Sequence, residues 1–293
     1  MYAGQKSNKA KYFFSCTMMT ISTLSKTIAL LGVGIALLGR HNPYWFGISQ
    51  LGTAERIDEI LAPYSPPAAA HPILDSILER YRDDGIIGTG DYDKYRNHCR
   101  RVLAFASYFY ENGIGSEGGA AASDQDEMKV KKKARDMDIM AFAAAYHDIA
   151  LWTDGRLDYL DPSVAVMERD IESGSIGDVI SLSPTEKETA VQIILQHHKV
   201  TEWSARSTKI APASSSATPG IEPDALVVNA FRKADWADAT VGLIRWGLPA
   251  DLFEAAYNKI PEQGFHKMLS NMGARLSPDS LVGQLDVLKI LKW

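Results

Sequence analysis

Apolar residues recur every three or four positions through most of the chain beyond Tyr44, the spacing that gathers them on one face of an α-helix. The clearest segment runs from Asp91, a predicted N-cap, to Gly113. Its inward stripe comprises Tyr95, His98, Val102, Phe105 and Phe109. No stretch alternates apolar and polar residues with the period of two that marks a half-buried strand. The pattern therefore predicts an all-α fold.

Helix start signals repeat along the rest of the sequence. Ser183-Pro184 followed by Glu186 is typical of a capped helix start, and a helix is predicted from about Lys129 to about Leu151. Further helix starts are predicted at Pro72, Pro162 and Pro223. The helix that starts at Pro223 is predicted to run to about Gly242, and three more helical segments are predicted after it. Residues 113–125 and 204–220 are rich in small and turn-forming residues and are predicted loops. We expect one multi-helix bundle over residues 50–293.

The N-terminal extension, residues 1–49, has a different pattern. Between Phe13 and Gly39 the chain carries one charge, Lys26. Three interpretations stay open: the hydrophobic core of a signal peptide, a membrane anchor formed by residues 13–39, or a buried or dispensable upstream segment. The predicted location is accordingly either cytoplasmic or membrane-anchored.

Composition narrows the function classes. The 293 residues carry a formal net charge of -5, so no basic excess drives binding to a nucleic acid polymer. Two cysteines cannot build a disulfide framework or a cysteine-rich zinc site, and Cys99 is predicted to be a buried structural thiol. Phosphate-loop, dinucleotide-binding and nucleophile-elbow motifs are absent from the sequence.

Residue types that bind metal ions lie on apolar helical faces at four places. They are His98, the pair His147-Asp148, the pair His197-His198, and Asp235. A single histidine of this kind is usually a hydrogen-bonded core residue. Burying an unpaired carboxylate is costly, however, and both aspartates have Ala, Ile, Leu, Val or Phe neighbours. One bound cation would account for the carboxylates and the inward histidines together.

The order His98, His147-Asp148, Asp235 resembles the signature of the HD-domain superfamily of metal-dependent phosphohydrolases, over roughly residues 70–245. The surrounding residues look similar too, namely those around His98, Tyr146-His147-Asp148-Ile149, and the stretch from Trp152 to Leu160. The resemblance implies an HD-type helical bundle in which these four residues hold one divalent ion (Mn, Fe, Co, Ni, Zn or Mg). It further implies hydrolysis of a small, nucleotide-like phosphate ester by metal-activated water, with Asp148, His198 and Lys199 in catalytic roles.

Several other residues are candidates for supporting roles. Phosphate contacts are predicted among Lys199, Arg101, Arg232 and Lys233, with Lys199 favoured because it follows two histidines. Asp238 lies one helical turn after Asp235 and either orients a ligand, acts as an acceptor behind it, or pairs with Arg232. Asp154 and Asp158 fit the site's mouth or a plain loop equally well, whereas His41, His71 and His266 are assigned structural or surface roles.

The adjacent histidines His197 and His198 indicate how many metal ions the site binds. HD proteins that bind two irons hold two additional histidines on separate helical segments, whereas His197 and His198 are neighbours. We therefore expect a single ion, with one of the two histidines close to the metal or substrate; the sequence does not decide which. Two other functions stay open: hydration of a nitrile-type carbon, as in cyanamide hydratase-like HD proteins, and non-catalytic sensing of a phosphorylated ligand.

Overall fold

The computed structural model describes residues 54–64, 71–113, 123–205 and 221–276. Within these ranges it contains ten α-helices and no strand, which confirms the all-α prediction for them. The helices are α1 Ala54–Leu61, α2 Pro72–Asp83, α3 Thr89–Gly113, α4 Ser123–Tyr146, α5 Ala150–Thr153, α6 Leu160–Glu172, α7 Pro184–Gln196, α8 Ala225–Ala239, α9 Ala250–Lys259 and α10 Phe265–Leu276, with a 3₁₀ turn at Ala62–Tyr64 after α1.

Some predictions fall outside the described residues. These are the extension 1–49 with its apolar segment 13–39, the domain boundary at residue 50, and most of the two predicted loops. Among the helices that are described, none has the length and apolar character needed to cross a bilayer.

The long helix α3 is the centre of the bundle. It packs most extensively against α8, while α4 packs against both α3 and α7. The predicted stripe of α3 is confirmed, because Tyr95, His98, Val102, Phe105 and Phe109 are all buried. The helices that carry the candidate ligands therefore meet in the core of the bundle.

Four predicted helices have bounds that differ from those in the structure by a few residues. Helix α3 begins at Thr89, before Asp91, and α6 begins at Leu160, so that Pro162 falls in its first turn. Helix α8 spans only Ala225–Ala239, because the Asp224 carboxylate accepts from the backbone N–H groups of Leu226 and Val227 and caps the helix there. The most consequential difference is that α4 ends at Tyr146, so the His147-Asp148 pair lies in a turn and not within a helix.

A buried carboxylate fixes the end of α4. Asp170 on α6 accepts hydrogen bonds from the hydroxyls of Tyr81 (2.7 Å) and Tyr146 (2.8 Å) and pairs with Arg80. Its donors come from α2 and α4, so three helices are joined at the residue that precedes His147. Charge-assisted hydrogen bonds of this kind are stronger than neutral ones and hold the turn in place.

Helix α7 begins with the predicted capping box. The Ser183 hydroxyl accepts from the Glu186 N–H at 3.3 Å, and the Glu186 carboxylate accepts from the Ser183 N–H at 2.7 Å. The same carboxylate pairs with Arg135 of α4 at 2.7 Å. The cap therefore sets both where α7 starts and how it docks on α4.

Removing this cap is expected to destabilise the bundle. Ser183→Ala should lower the free energy of unfolding by about 1 kcal/mol, because the Glu186 N–H loses its acceptor. Urea unfolding followed by circular dichroism measures the effect. Ser181→Ala is the matched control, since that exposed serine caps no helix; equal losses in the two variants would contradict the prediction.

Candidate metal centre

Four segments bring metal-ligating side chains to one buried place. His98 comes from the middle of α3, His147 and Asp148 from the turn after α4, His197 from the C-cap of α7, and Asp235 from α8. Each of these five residues is at most 5% exposed. The four ligands predicted from the sequence are thus brought together, and His197 joins them.

The ligand atoms face one another at short range. The Nε2 atom of His98 lies 3.1 Å from Nε2 of His147 and 3.4 Å from an Asp235 oxygen. Nε2 of His147 lies 3.3 Å from Asp148 and 3.7 Å from Asp235, and Nε2 of His197 lies 3.4 Å from Asp148. Asp148 Oδ1 and His197 Nε2 are buried without any hydrogen-bond partner. Unsatisfied lone pairs pointing at one another are the arrangement that a cation stabilises.

The other nitrogen of each imidazole is held by an acceptor. Nδ1–H of His147 donates to the Ala144 carbonyl, and Nδ1–H of His197 donates to the Ile194 carbonyl, each at 2.8 Å. Nδ1–H of His98 donates to the Asp238 carboxylate at 2.6 Å. These bonds fix the ring orientations and leave Nε2 as the atom that faces the centre, as in protein metal sites generally.

Asp238 orients His98 and does not pair with Arg232, one of the alternatives left open by the sequence. Its carboxylate also accepts from Nε of Arg101 at 2.6 Å and from Nη2 at 2.9 Å. Arg101 is fully buried and committed to this pair, so its predicted role as a phosphate contact is wrong. The Arg101 guanidinium keeps Asp238 ionised, because it outweighs the effect of burial and holds the pKa of that carboxyl far below its usual range.

The turn at His147-Asp148 exists because Tyr95 competes with the helix. Its hydroxyl lies 3.2 and 3.3 Å from the carbonyl oxygens of Ala144 and Ala145, and it accepts from the Asp148 N–H at 3.2 Å. In a continuing helix that N–H would bond the Ala144 carbonyl. The hydroxyl diverts the bond, α4 stops, and both ligands turn toward α3 and α8.

Burial and mutual contact set the protonation of the centre. Burial lowers the pKa of His147 to about 4, so this ring is neutral at pH 7 and ready to act as a ligand. Burial also opposes charge on His98, but its bonds to Asp235 and Asp238 outweigh burial and raise its pKa to about 9. The pKa of His197 is raised by Asp148 and Asp235 in the same way. In the protein without a bound cation, the proton on His98 compensates the carboxylates of Asp235 and Asp238 that it contacts.

His198 and Lys199 lie at the rim of the cluster. His198 is half-buried, and its Nε2 shares a hydrogen bond of 3.0 Å with the Tyr159 hydroxyl. Burial and the nearby His197 lower its pKa to about 3, so it is neutral. Asp148, His197 and His198 form a second group whose ligand atoms lie within 4.8 Å of one another, and it shares Asp148 with the group His98, His147 and Asp148. The described part of the chain thus holds a buried His/Asp cluster that could bind a metal ion.

The remaining candidates are not part of the His/Asp cluster. Lys233 lies over the Phe109 ring, with its Nζ 6.0 Å from the ring centroid. Asp154 and Asp158 are exposed, and Asp158 is 3.5 Å from Arg156. His266 is buried and has the structural role expected of it, since Nε2 bonds the Asp238 carbonyl at 3.0 Å.

One neighbour of the site was not predicted. The Phe265 ring, at the start of α10, stacks on His98 with centroids 4.2 Å apart and an interplanar angle of 11°. It closes the cluster on that side with an apolar surface. No local sequence signal marks it, because the contact joins residues 167 positions apart, and only the order of the helices in space brings them together.

Comparison with protein-family models, with curated proteins and with solved structures found no match to this chain. The case for a metal centre therefore depends on the geometry described above.

The Tyr95 hydroxyl should be necessary for the turn that carries the ligands. Tyr95→Phe leaves the buried Asp148 N–H without its acceptor, so we expect a loss of about 1–3 kcal/mol in the free energy of unfolding and weaker metal binding. Tyr92→Phe is the matched control on the same helix, because the buried Tyr92 hydroxyl has no hydrogen-bond partner. If both variants behave alike in urea unfolding and in metal titration, Tyr95 does not have this role.

Metal uptake should release protons. At pH 7 His98, with a pKa of about 9, carries a proton that a cation must displace. We expect affinity for Zn²⁺ or Mn²⁺ to rise from pH 7 to about pH 9 and then to level off with respect to His98. Isothermal titration calorimetry in two buffers of different ionisation enthalpy counts the protons. An affinity that does not change over this range would exclude a protonated His98 in the metal-free protein.

Proposed function

We propose that the protein is a metal-dependent phosphohydrolase of the HD type that acts on the phosphate ester of a small, nucleotide-like metabolite. The observation that carries this proposal is the convergence of imidazole Nε2 atoms and carboxylates from four separate segments on one buried point. The His98, His147, Asp148 and Asp235 side chains are proposed to hold one divalent cation, with His197 beside them. The order of these residues agrees with the resemblance to the HD-domain superfamily.

The donor set fits a transition metal better than a hard cation. Neutral imidazoles favour Zn²⁺, Fe²⁺, Ni²⁺ or Co²⁺, and the carboxylates also accommodate Mn²⁺; Mg²⁺ prefers oxygen ligands and ordered water. A divalent ion held by protein ligands lowers the pKa of a bound water and polarises a phosphoryl oxygen. Both effects are what hydrolysis of a phosphate ester needs.

The protein side chains supply the rest of the proposed chemistry. Asp148 and Asp235 provide negative charge that balances the cation, and Arg101 through Asp238 keeps His98 aligned. His198 has one ring nitrogen on Tyr159 and the other, Nδ1, buried without a partner. As a neutral ring at the rim it can orient a water molecule through a hydrogen bond. Lys199, which follows it, is proposed to neutralise charge on the phosphoryl oxygens.

The ligand set is tested by paired substitutions. His147→Ala and Asp148→Ala should each abolish both bound metal and turnover, because each removes a ligand from a buried centre. Metal content is measured by elemental analysis of purified protein, and turnover by a phosphate-ester panel supplemented with each divalent metal in turn. Asp158→Ala is the control, since it removes an exposed carboxylate from a nearby segment.

The same experiment separates the alternatives. One metal equivalent per chain agrees with the proposal, whereas two would show that the group of Asp148, His197 and His198 is also filled. Hydrolysis by metal-free protein would contradict the mechanism. Turnover of cyanamide without hydrolysis of any ester would identify a hydratase, and ligand-induced thermal stabilisation without turnover would identify a sensor.

A further inference from the structure

A second charged side chain lies buried on α8, one turn before Asp235. Arg232 is 1% exposed, and its guanidinium donates to the carbonyls of Lys199 (2.9 Å) and Val200 (3.1 Å) and to the Asn229 side chain (3.1 Å). These acceptors are all neutral. Within the described ranges none of the acceptors of Arg232 is a carboxylate.

An arginine in this situation is unusual. Buried charges are normally paired, because removing a cation from water is costly unless an opposite charge accompanies it. Arg101, on the facing helix, shows the ordinary solution with its bonds to Asp238. Burial of Arg232 lowers its pKa to about 10, and only Glu202, which is exposed, opposes the effect. Among the residues that the structure describes, the buried positive charge of Arg232 therefore has no carboxylate paired with it.

The groups around Arg232 are donors as well. Lys199 is half-buried, and its pKa is lowered by burial and by the neighbouring Arg232 charge. Trp236 lies one turn after Arg232 on the same face of α8, and its buried indole N–H has no acceptor. Trp246, which is 40% exposed, lies against the guanidinium with its ring centroid 5.4 Å from Cζ. Two cationic side chains and an indole N–H that lacks an acceptor form a combination that favours binding of an oxyanion.

The position of this group relates it to the metal centre. Arg232 bonds the carbonyl of Lys199, the second residue after His197, and Asp235 follows Arg232 by three positions on α8. Lys199 and Trp246 are partly exposed, so Arg232 lies directly beneath the surface beside the rim. The Arg232 side chain is thus linked to the cluster through α8 and through the segment that follows His197.

We propose that Arg232 and Lys199 form an anion subsite that binds a phosphoryl group of the substrate and that does not need the metal in order to bind it. This inference deepens the proposed function and rests on it for the identity of the substrate. It selects substrates with a phosphoryl group over neutral molecules of similar size. The binding of the anion itself requires only the residues of the subsite.

The probe is inorganic phosphate, titrated into the full-length protein after its metal has been removed, so that no cation competes for the anion. We expect saturable binding to the wild type, with Lys199→Met weakening it about ten- to hundredfold through loss of one charge-assisted contact. Arg232→Lys, which keeps the charge but loses the planar fork, should also weaken it about tenfold. Arg232 also donates to two backbone carbonyls, so the stability of Arg232→Lys is measured by thermal unfolding. If Arg232→Lys is unstable, the result for Lys199→Met decides the test.

Lys233→Met is the matched control, because it removes the same charge from the residue next to Arg232, whose side chain lies over Phe109 instead. Its phosphate affinity should stay within about twofold of the wild type. The proposal is overturned if Lys199→Met and Lys233→Met bind phosphate alike, or if acetate binds the wild type as tightly as phosphate. If phosphate binding depends on Lys199 but the protein takes up no divalent metal when metal is added back, the proposed function is refuted and the subsite stands. Hydrolysis without such binding would do the reverse.

Discussion

The architecture of the candidate site depends on the cost of placing carboxylates in an apolar core. Asp148, Asp235 and Asp238 are all nearly inaccessible to water, and an isolated ionised carboxylate in such a place would be strongly unfavourable. Asp238 is stabilised within the protein, by Arg101 and His98. For Asp148 and Asp235 the neighbours are imidazoles, which compensate charge only when they carry a proton or share a cation. The core is therefore complete only with a positive charge at its centre.

The helix pair α3 and α8 meets this requirement through a common spacing. On α3, His98 precedes Arg101 by three residues, and on α8 Asp235 precedes Asp238 by three. Residues three apart share a helix face, so the two pairs meet as successive levels of one interface. One level holds His98 with Asp235, the other holds Arg101 with Asp238, and His98 bonds both aspartates. The more buried ion pair thus supports the level at which a metal can bind.

The sequence was sufficient for the helical elements, because these depend on local periodicity, and its resemblance to the HD signature singled out four residues that the structure brings together. It was insufficient wherever a distant side chain changes a local preference. Nothing near His147 indicates that α4 ends at Tyr146; the cause is the Tyr95 hydroxyl, about fifty positions earlier. The partner of Arg101 could not be assigned for the same reason, since a surface role and a buried ion pair look identical in sequence. Which of His197 and His198 faces the cluster depends on the residue at which α7 ends, and helix ends are the least predictable part of an element.

The two charged features of α8 together bear on the substrate. At Asp235 the helix presents negative charge to a site suited to a cation, and one turn earlier Arg232 presents a positive charge with no carboxylate paired to it in the part of the chain that the structure describes. A phosphate ester satisfies both, because its oxygens can approach a cation and a guanidinium at once. A small neutral nitrile could use the first feature but would leave Arg232 as costly as before. On the proposed function, the buried guanidinium is therefore a reason to expect a phosphoryl substrate in preference to a neutral nitrile.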